Sequence, residues 1–210
     1  MLQISNYIKK YPTAPDPVLS IPGYQLEEGV YWIKGENGSG KTSLLKSIAG
    51  LIPFEGDISV GGVHINGNRM AYTKMVNYAE AEPQYPPFLN GIALIDFYKS
   101  TKGGHFPEIL FRKLGVEKFM HQKTATYSSG MLKKLSLVLG FTGHPKLVLL
   151  DEPLIALDVA AVETLQSAIL QFSRQGVSFL ITSHQPLDSG LIKAANHLVI
   201  KDKILQQENV

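Results

Sequence analysis

The stretch from Val30 to Leu51, VYWIKGENGSGKTSLLKSIAGL, decides the fold. Its opening VYWI is rich in β-branched and aromatic residues and reads as a strand. Gly35-Glu36-Asn37-Gly38-Ser39-Gly40-Lys41-Thr42 then follows the pattern G-x-x-x-x-G-K-[ST], after which Leu44, Leu45, Ile48 and Leu51 recur at helical spacing. A strand, a glycine-rich loop and a helix in that order make an anion site. The glycines let backbone N–H groups converge at the helix N-terminus, where the helix dipole favours phosphate. Lys41 adds a mobile cation, and the Thr42 hydroxyl can ligate Mg²⁺.

Outward from this unit, residues 56 to 65, GDISVGGVHI, predict a hairpin because two alternating apolar stretches flank a Gly-Gly pair. MVNYA, from Met75 to Ala79, predicts a further strand. From Pro83 to about Gly143 the chain changes character, with ALIDFYKS, FPEILFRKLG and GMLKKLSLVLGF reading as an inserted helical segment. KLVLLDEP and VSFLITSH are short buried strands that bracket an amphipathic helix stopped by Gly176, and HLVIKD is the last strand. Buried strands alternating with helices argue for an α/β fold with a parallel sheet. Leu147 to Leu150 carry Asp151 and Glu152 to a strand's C-terminal end, where ligands of open α/β sheets bind. Asp151 there suits a magnesium shell, and Glu152 suits orienting and polarising an attacking water.

Composition narrows the field further. A chain of 210 residues with 44% apolar and 18% charged residues buries one core, so a tandem two-domain machine is excluded. Twenty Lys and Arg against 18 Asp and Glu leave a net charge of +2, which does not point to nucleic acid as a partner. The absence of cysteine excludes disulfide scaffolds, cysteine-ligated zinc and thiol catalysis. MLQISNYIKKYPTAP lacks the apolar run of a secretion signal, and no segment approaches the roughly 18 to 20 apolar residues of a spanning helix.

Between the phosphate loop and the Asp-Glu pair, Tyr127-Ser128-Ser129-Gly130-Met131 opens a helix. The ordered set of phosphate loop, Ser-x-Gly at a helix start, apolar strand into Asp151-Glu152, Ala156-Leu157-Asp158 and His184 closing a strand resembles the nucleotide-binding subunit of ATP-binding cassette (ABC) transporters. The resemblance covers nearly the whole chain. It implies a P-loop NTPase with a RecA-like parallel-sheet core, a small N-terminal antiparallel β subdomain and an inserted helical subdomain. The chain would be a single domain, with its core at about 1–82 and 144–210 and the helical part at about 83–143.

The same resemblance implies ATP hydrolysis to ADP and phosphate with Mg²⁺ as cofactor. Gly35, Asn37, Gly38, Ser39, Gly40, Lys41, Thr42 and Ser43 would bind the nucleotide, with Tyr11 stacking on adenine. Glu152, His184 and Lys41 are the expected catalytic residues, Thr42 and Asp151 the magnesium ligands, and Asp158 a dimer contact. Ser128, Ser129 and Gly130 would act in trans, on the nucleotide of a second subunit. The family signature is usually Leu-Ser-Gly-Gly-Gln, of which this chain keeps Ser128 and Gly130. The family also usually has a Gln after the strand VNYA, where this chain offers Glu80-Ala81-Glu82; the matching place is Glu82 or Ala81, and of the two only Glu82 could ligate the metal. Partners implied are a transmembrane permease and a second nucleotide-binding subunit, placing the chain in the cytoplasm against the inner face of the cell membrane. The alternative is a soluble ABC ATPase of a cytosolic assembly system, such as one for iron–sulfur clusters.

Overall fold

Alternating apolar and polar residues set the first strand, β1 (Leu2–Lys9), with Leu2, Ile4 and Tyr7 buried. The alternation slips at Asn6, which takes φ 51°, and the pairing register shifts between Ser5 and Ile8 as at a β-bulge. Gly56 fits under that bulge: its φ is 98°, and a Cβ there would lie 2.3 Å from the Asn6 carbonyl oxygen, so no other residue fits. In this computed structural model residues 1–184 and 189–208 are described.

Along the chain follow β2 (Leu19–Leu26), β3 (Val30–Lys34), α1 (Lys41–Ile48), β4 (Glu55–Val60), β5 (Val63–His64), α2 (Arg69–Met75) and β6 (Val76–Ala79). Three helices come next, α3 (Gly91–Lys102), α4 (Glu108–Lys113) and α5 (Ser129–Gly140), and then β7 (Leu147–Asp151). The chain closes through α6 (Val159–Arg174), β8 (Ser178–Thr182), α7 (Ser189–Ala194), β9 (Ala195–Lys201) and β10 (Ile204–Gln207).

Two sheets result. The antiparallel one has the order β2-β1-β4-β5, and the other runs β10-β9-β3-β8-β7-β6, parallel except for the β9–β10 hairpin. One face of the parallel sheet packs Ile33, Leu149 and Leu180 against Leu44, Leu45 and Ile48 of α1 and the apolar side of the small sheet. The other face packs Val148, Leu150 and Ile181 against α5, α6 and the helices before them. Covered on both faces, β7 and β8 are buried at every residue, which is why their sequences are continuous apolar runs. Parallel strands also bring their C-terminal ends to one edge, so β3, β6, β7 and β8 deliver the phosphate loop, Glu80, Asp151 and Ser183-His184 side by side.

Some elements differ from the sequence reading. Met75 ends a helix instead of starting a strand, and α2 itself is short, with Tyr72 as its buried residue. Leu51 falls beyond α1 and is 58% exposed, because α1 stops at Ile48 and the chain turns at Gly50. A strand, β10, follows the HLVIKD strand and pairs back onto it through a turn at Asp202-Lys203. No helix among the described residues is long and apolar enough to cross a membrane.

Candidate active site

The phosphate loop joins β3 to α1, and its glycines are there for different reasons. A Cβ on Gly35, at φ 154°, would lie 2.7 Å from Ser39 Oγ, whereas Gly40 caps α1 at φ 99°. Lys41 is 7% exposed and its Nζ donates to the carbonyl oxygens of Gly35 at 2.7 Å and Glu36 at 2.9 Å, which ties the loop's start to its end. Burial pulls this amine below the ordinary lysine range, against the opposing pull of the Glu152 and Asp151 charges. Around the loop lies a cavity of about 370 Å³ lined by Tyr11, Val18, Asn37 to Ser43, Glu152 and His184. Tyr11 is 36% exposed at its rim, with its hydroxyl 3.0 Å from Ser43 Oγ. Residues predicted from four separate stretches of sequence are thus brought into one space.

Asp151 is 1% exposed and is held by three hydroxyl groups. Thr182 Oγ1 donates to its Oδ1 at 2.7 Å, Thr42 Oγ1 to the same oxygen at 3.2 Å, and the Tyr78 hydroxyl to Oδ2 at 3.0 Å. Burial and the Asp151 charge in turn push the Tyr78 hydroxyl far above its ordinary pKa, so it remains a donor. Glu152, next in the chain, has φ 44°, a conformation costly for a non-glycine residue, and its N–H donates to Thr182. That twist turns its side chain into the phosphate-loop cavity. There Oε2 accepts from the His184 N–H at 3.1 Å, and Oε1 lies 3.4 Å from His184 Nε2 without forming a hydrogen bond. A nearly buried carboxylate with one oxygen free, beside an imidazole, can accept a proton from water.

A second cavity, of about 430 Å³, adjoins the first at Thr42 and is lined also by Lys46, Tyr78, Glu80, Ala81, Glu82, Gln84 and Asp151. Glu82 is exposed on its wall, together with the Gln84 that follows it. Thr42 and Asp151 present hard oxygen donors where the two spaces meet, which fits Mg²⁺, an ion commonly held by one or two protein ligands plus substrate phosphates.

The signature residues stand elsewhere. Ser128 caps α5, its Oγ accepting from the Met131 N–H at 3.2 Å, and with Gly130 it lines a separate cavity of about 540 Å³ shared with Lys118, Lys134 and Ala156 to Asp158. Ser129 is exposed and lies outside that lining. Among the described residues none lines both this cavity and the phosphate-loop cavity. Gly130 is required by approach and not by φ, since a Cβ there would lie 2.9 Å from the Ala156 carbonyl oxygen. Asp158 caps α6 through the Ala161 N–H at 2.8 Å and pairs with Lys134 at 2.6 Å. The hydrogen bond from Lys134 is the largest influence holding its carboxyl below the usual range. Tyr127, at the first signature place, is buried and donates to the Phe119 carbonyl at 3.0 Å.

Sequence reasoning passed over Tyr78, Thr182, Lys134 and Lys133. For Lys133 a signal existed: it shares the buried face of α5 with Ser136, Leu137 and Gly140, at helical spacing, where a cation is out of place.

Fold and site together define a P-loop NTPase. The sequence profile of the ABC transporter family matches residues 24–155, more than half of the chain. The uncharacterized ABC transporter ATP-binding protein YybJ of Bacillus subtilis is 32% identical over 194 residues, covering 90% of this chain and 87% of that protein. The cytochrome c biogenesis ATP-binding export protein CcmA of Legionella pneumophila is 33% identical, over 76% of this chain and 80% of its own. The aliphatic sulfonates import ATP-binding protein SsuB 2 of Burkholderia cenocepacia is 30% identical over 83% of this chain, which spans 64% of that relative's length. A solved ATP-binding subunit of an ABC transporter superposes with a TM-score of 0.88 over 100% of this chain and 90% of its own, at 20% identity. The chain belongs to the ABC transporter family and is an ABC ATPase.

Proposed function

We propose that this chain powers transport through a separate membrane permease as one member of a head-to-tail pair of ATP-binding subunits that enclose two Mg-ATP. The carrying observation is the division of the site: Lys41, Glu152 and His184 line one cavity, and Ser128 and Gly130 line another, with no lining residue in common among the described residues. A helix N-terminus opened by Ser128 attracts phosphate, and a two-fold pair sets each such terminus over the opposite phosphate loop. Pairing thereby completes two sites at once.

Within each site, Tyr11 stacks on adenine, the backbone of residues 35 to 43 receives the phosphates, and Lys41 exchanges its own loop carbonyls for phosphate oxygens. Thr42, Asp151 and Glu82 would hold Mg²⁺, which when bound would neutralise charge on the phosphates. Glu152 accepts a proton from the attacking water as its oxygen bonds to the γ-phosphorus and ADP departs, while His184 stands beside Glu152 and keeps the water in line. Ser128 of the partner subunit binds the same γ-phosphate from across the interface. Phe88, near the end of the 80–89 loop, and Phe97, in the middle of α3, are 71% and 60% exposed and offer apolar surface suited to a permease partner. Such a partner would hold the chain at the inner face of the membrane.

Light scattering on Glu152→Gln tests the pairing. With turnover blocked, saturating Mg-ATP should convert monomer to dimer. A protein monomeric under those conditions contradicts the reading for this chain alone.

A further inference from the structure

Lys133 is 1% exposed in the middle of α5, and among the described residues no carboxylate lies within ion-pair distance of it. Its Nζ donates to three backbone carbonyl oxygens, of Glu80 at 2.7 Å, Ala81 at 3.1 Å and Asp151 at 3.1 Å. An ammonium has three protons, and all three are used. Burial holds this amine at a pKa of about 8, with the charges of Asp151, Glu152, Glu80 and Glu82 acting against that shift. Burying a cation on carbonyls costs free energy that a methionine of similar length would not. In return the lysine attaches an irregular segment, which has no ladder of its own, to the end of a fully buried strand.

The three carbonyls belong to the two walls of the cavity at which Thr42 meets Asp151. Glu80 and Ala81 begin the loop that carries Glu82, and the Asp151 carbonyl ends β7 directly before Glu152. Tyr78 joins the same walls at a second point through its bond to Asp151 Oδ2. We propose that Lys133 is a positioning residue for ATP hydrolysis, fixing the Glu80–Glu82 loop against the end of β7 so that Glu82, Asp151 and Glu152 keep their places around the reacting phosphate. Because Ser128 caps the same helix, α5 joins the signature to the opposite side of the catalytic cavity. The inference rests on the chain's being an ATPase, and its test includes a readout that needs no turnover.

Lys133→Met keeps the length and removes the donors, and Lys133→Gln keeps two N–H donors on a shorter side chain. In Lys133→Met, kcat should fall about tenfold or more, with KM for Mg-ATP within about twofold, as for a group that acts on the transition state and not on binding. Amide exchange in residues 79 to 84 should accelerate about tenfold, while peptides from the phosphate loop and from 128 to 131 keep their wild-type rates. Lys133→Gln should recover part of both losses. A folded Lys133→Met protein with kcat within about twofold of wild type, or with exchange in 79 to 84 unchanged, overturns the proposal. If Lys133→Met does not fold, the same two measurements on Lys133→Gln decide, and wild-type values in both overturn it. A wild-type chain that hydrolyses no ATP would defeat the ATPase reading instead, and the exchange measurement would still test the attachment.

Discussion

Gly130→Ala separates a positional requirement from a stability requirement. The added Cβ would lie 2.9 Å from the Ala156 carbonyl oxygen. Carbon–oxygen contacts of this kind begin at about 3.3 Å, so the Ala156-Leu157-Asp158 loop and the head of α5 must part by roughly 0.4 Å or more. On a scale where a displacement of about 1 Å costs about 10²-fold in rate, hydrolysis should fall about five- to tenfold. The fold should hardly notice, because Ala in a helix is favoured over Gly by up to about 1 kcal/mol and that gain offsets the crowding. Gly23→Ala is the control, since a Cβ there meets nothing within 4 Å. Phosphate release at saturating Mg-ATP, measured beside thermal melting, should show Gly23→Ala at wild-type rate and Gly130→Ala slowed with little change in melting. A Gly130→Ala protein that melts normally and hydrolyses at the wild-type rate would refute the argument that this contact sets the loop.

In Glu152→Gln the shape persists but the basic carboxylate is gone, so ATP should still bind by calorimetry while turnover drops by about 10² or more; normal turnover would move the base elsewhere. Glu82→Ala should weaken magnesium-dependent hydrolysis more than Glu80→Ala does, and equal, negligible effects would remove Glu82 from the metal. Lys102 donates to the carbonyls of Thr73 and Val76, and burial holds its pKa at about 8. Above that pH the folded state has released a proton that the unfolded state keeps until near 10.4, so this group adds stability as pH rises through the window. Urea unfolding at about pH 7.5 and 9.5 should therefore show wild type gaining on Lys102→Met at the higher pH, and an unchanged gap would contradict the assignment.

The parts of the site legible in the sequence are those whose chemistry is written at fixed local spacing. Gly35 to Thr42 must be contiguous to wrap a phosphate, and Asp151-Glu152 must follow a buried strand to reach the sheet edge. Tyr78, Thr182 and Lys133 act across 73, 31 and 18 positions on Asp151, and no local pattern encodes such contacts. The helix α2 escaped notice for a related reason. It has Tyr72 as its buried residue, and its start is marked by Asn68, whose side chain accepts from the Ala71 N–H at 3.0 Å. Leu51 misled because helical spacing continues in the sequence past the point where Gly50, at φ 73°, turns the backbone away.

The central claim is that Ser128 serves the nucleotide of the opposite subunit, and mixing two inactive variants tests it most directly. Lys41→Ala and Ser128→Arg should each abolish hydrolysis alone. In an equimolar mixture half of the dimers pair the two variants, and each of these has one site with both lesions and one with neither, so about a quarter of wild-type activity should return. The gain should peak near equal amounts and fall away on either side. A Ser128→Arg protein that hydrolyses ATP at the wild-type rate by itself, with nothing added by mixing, would contradict the composite site.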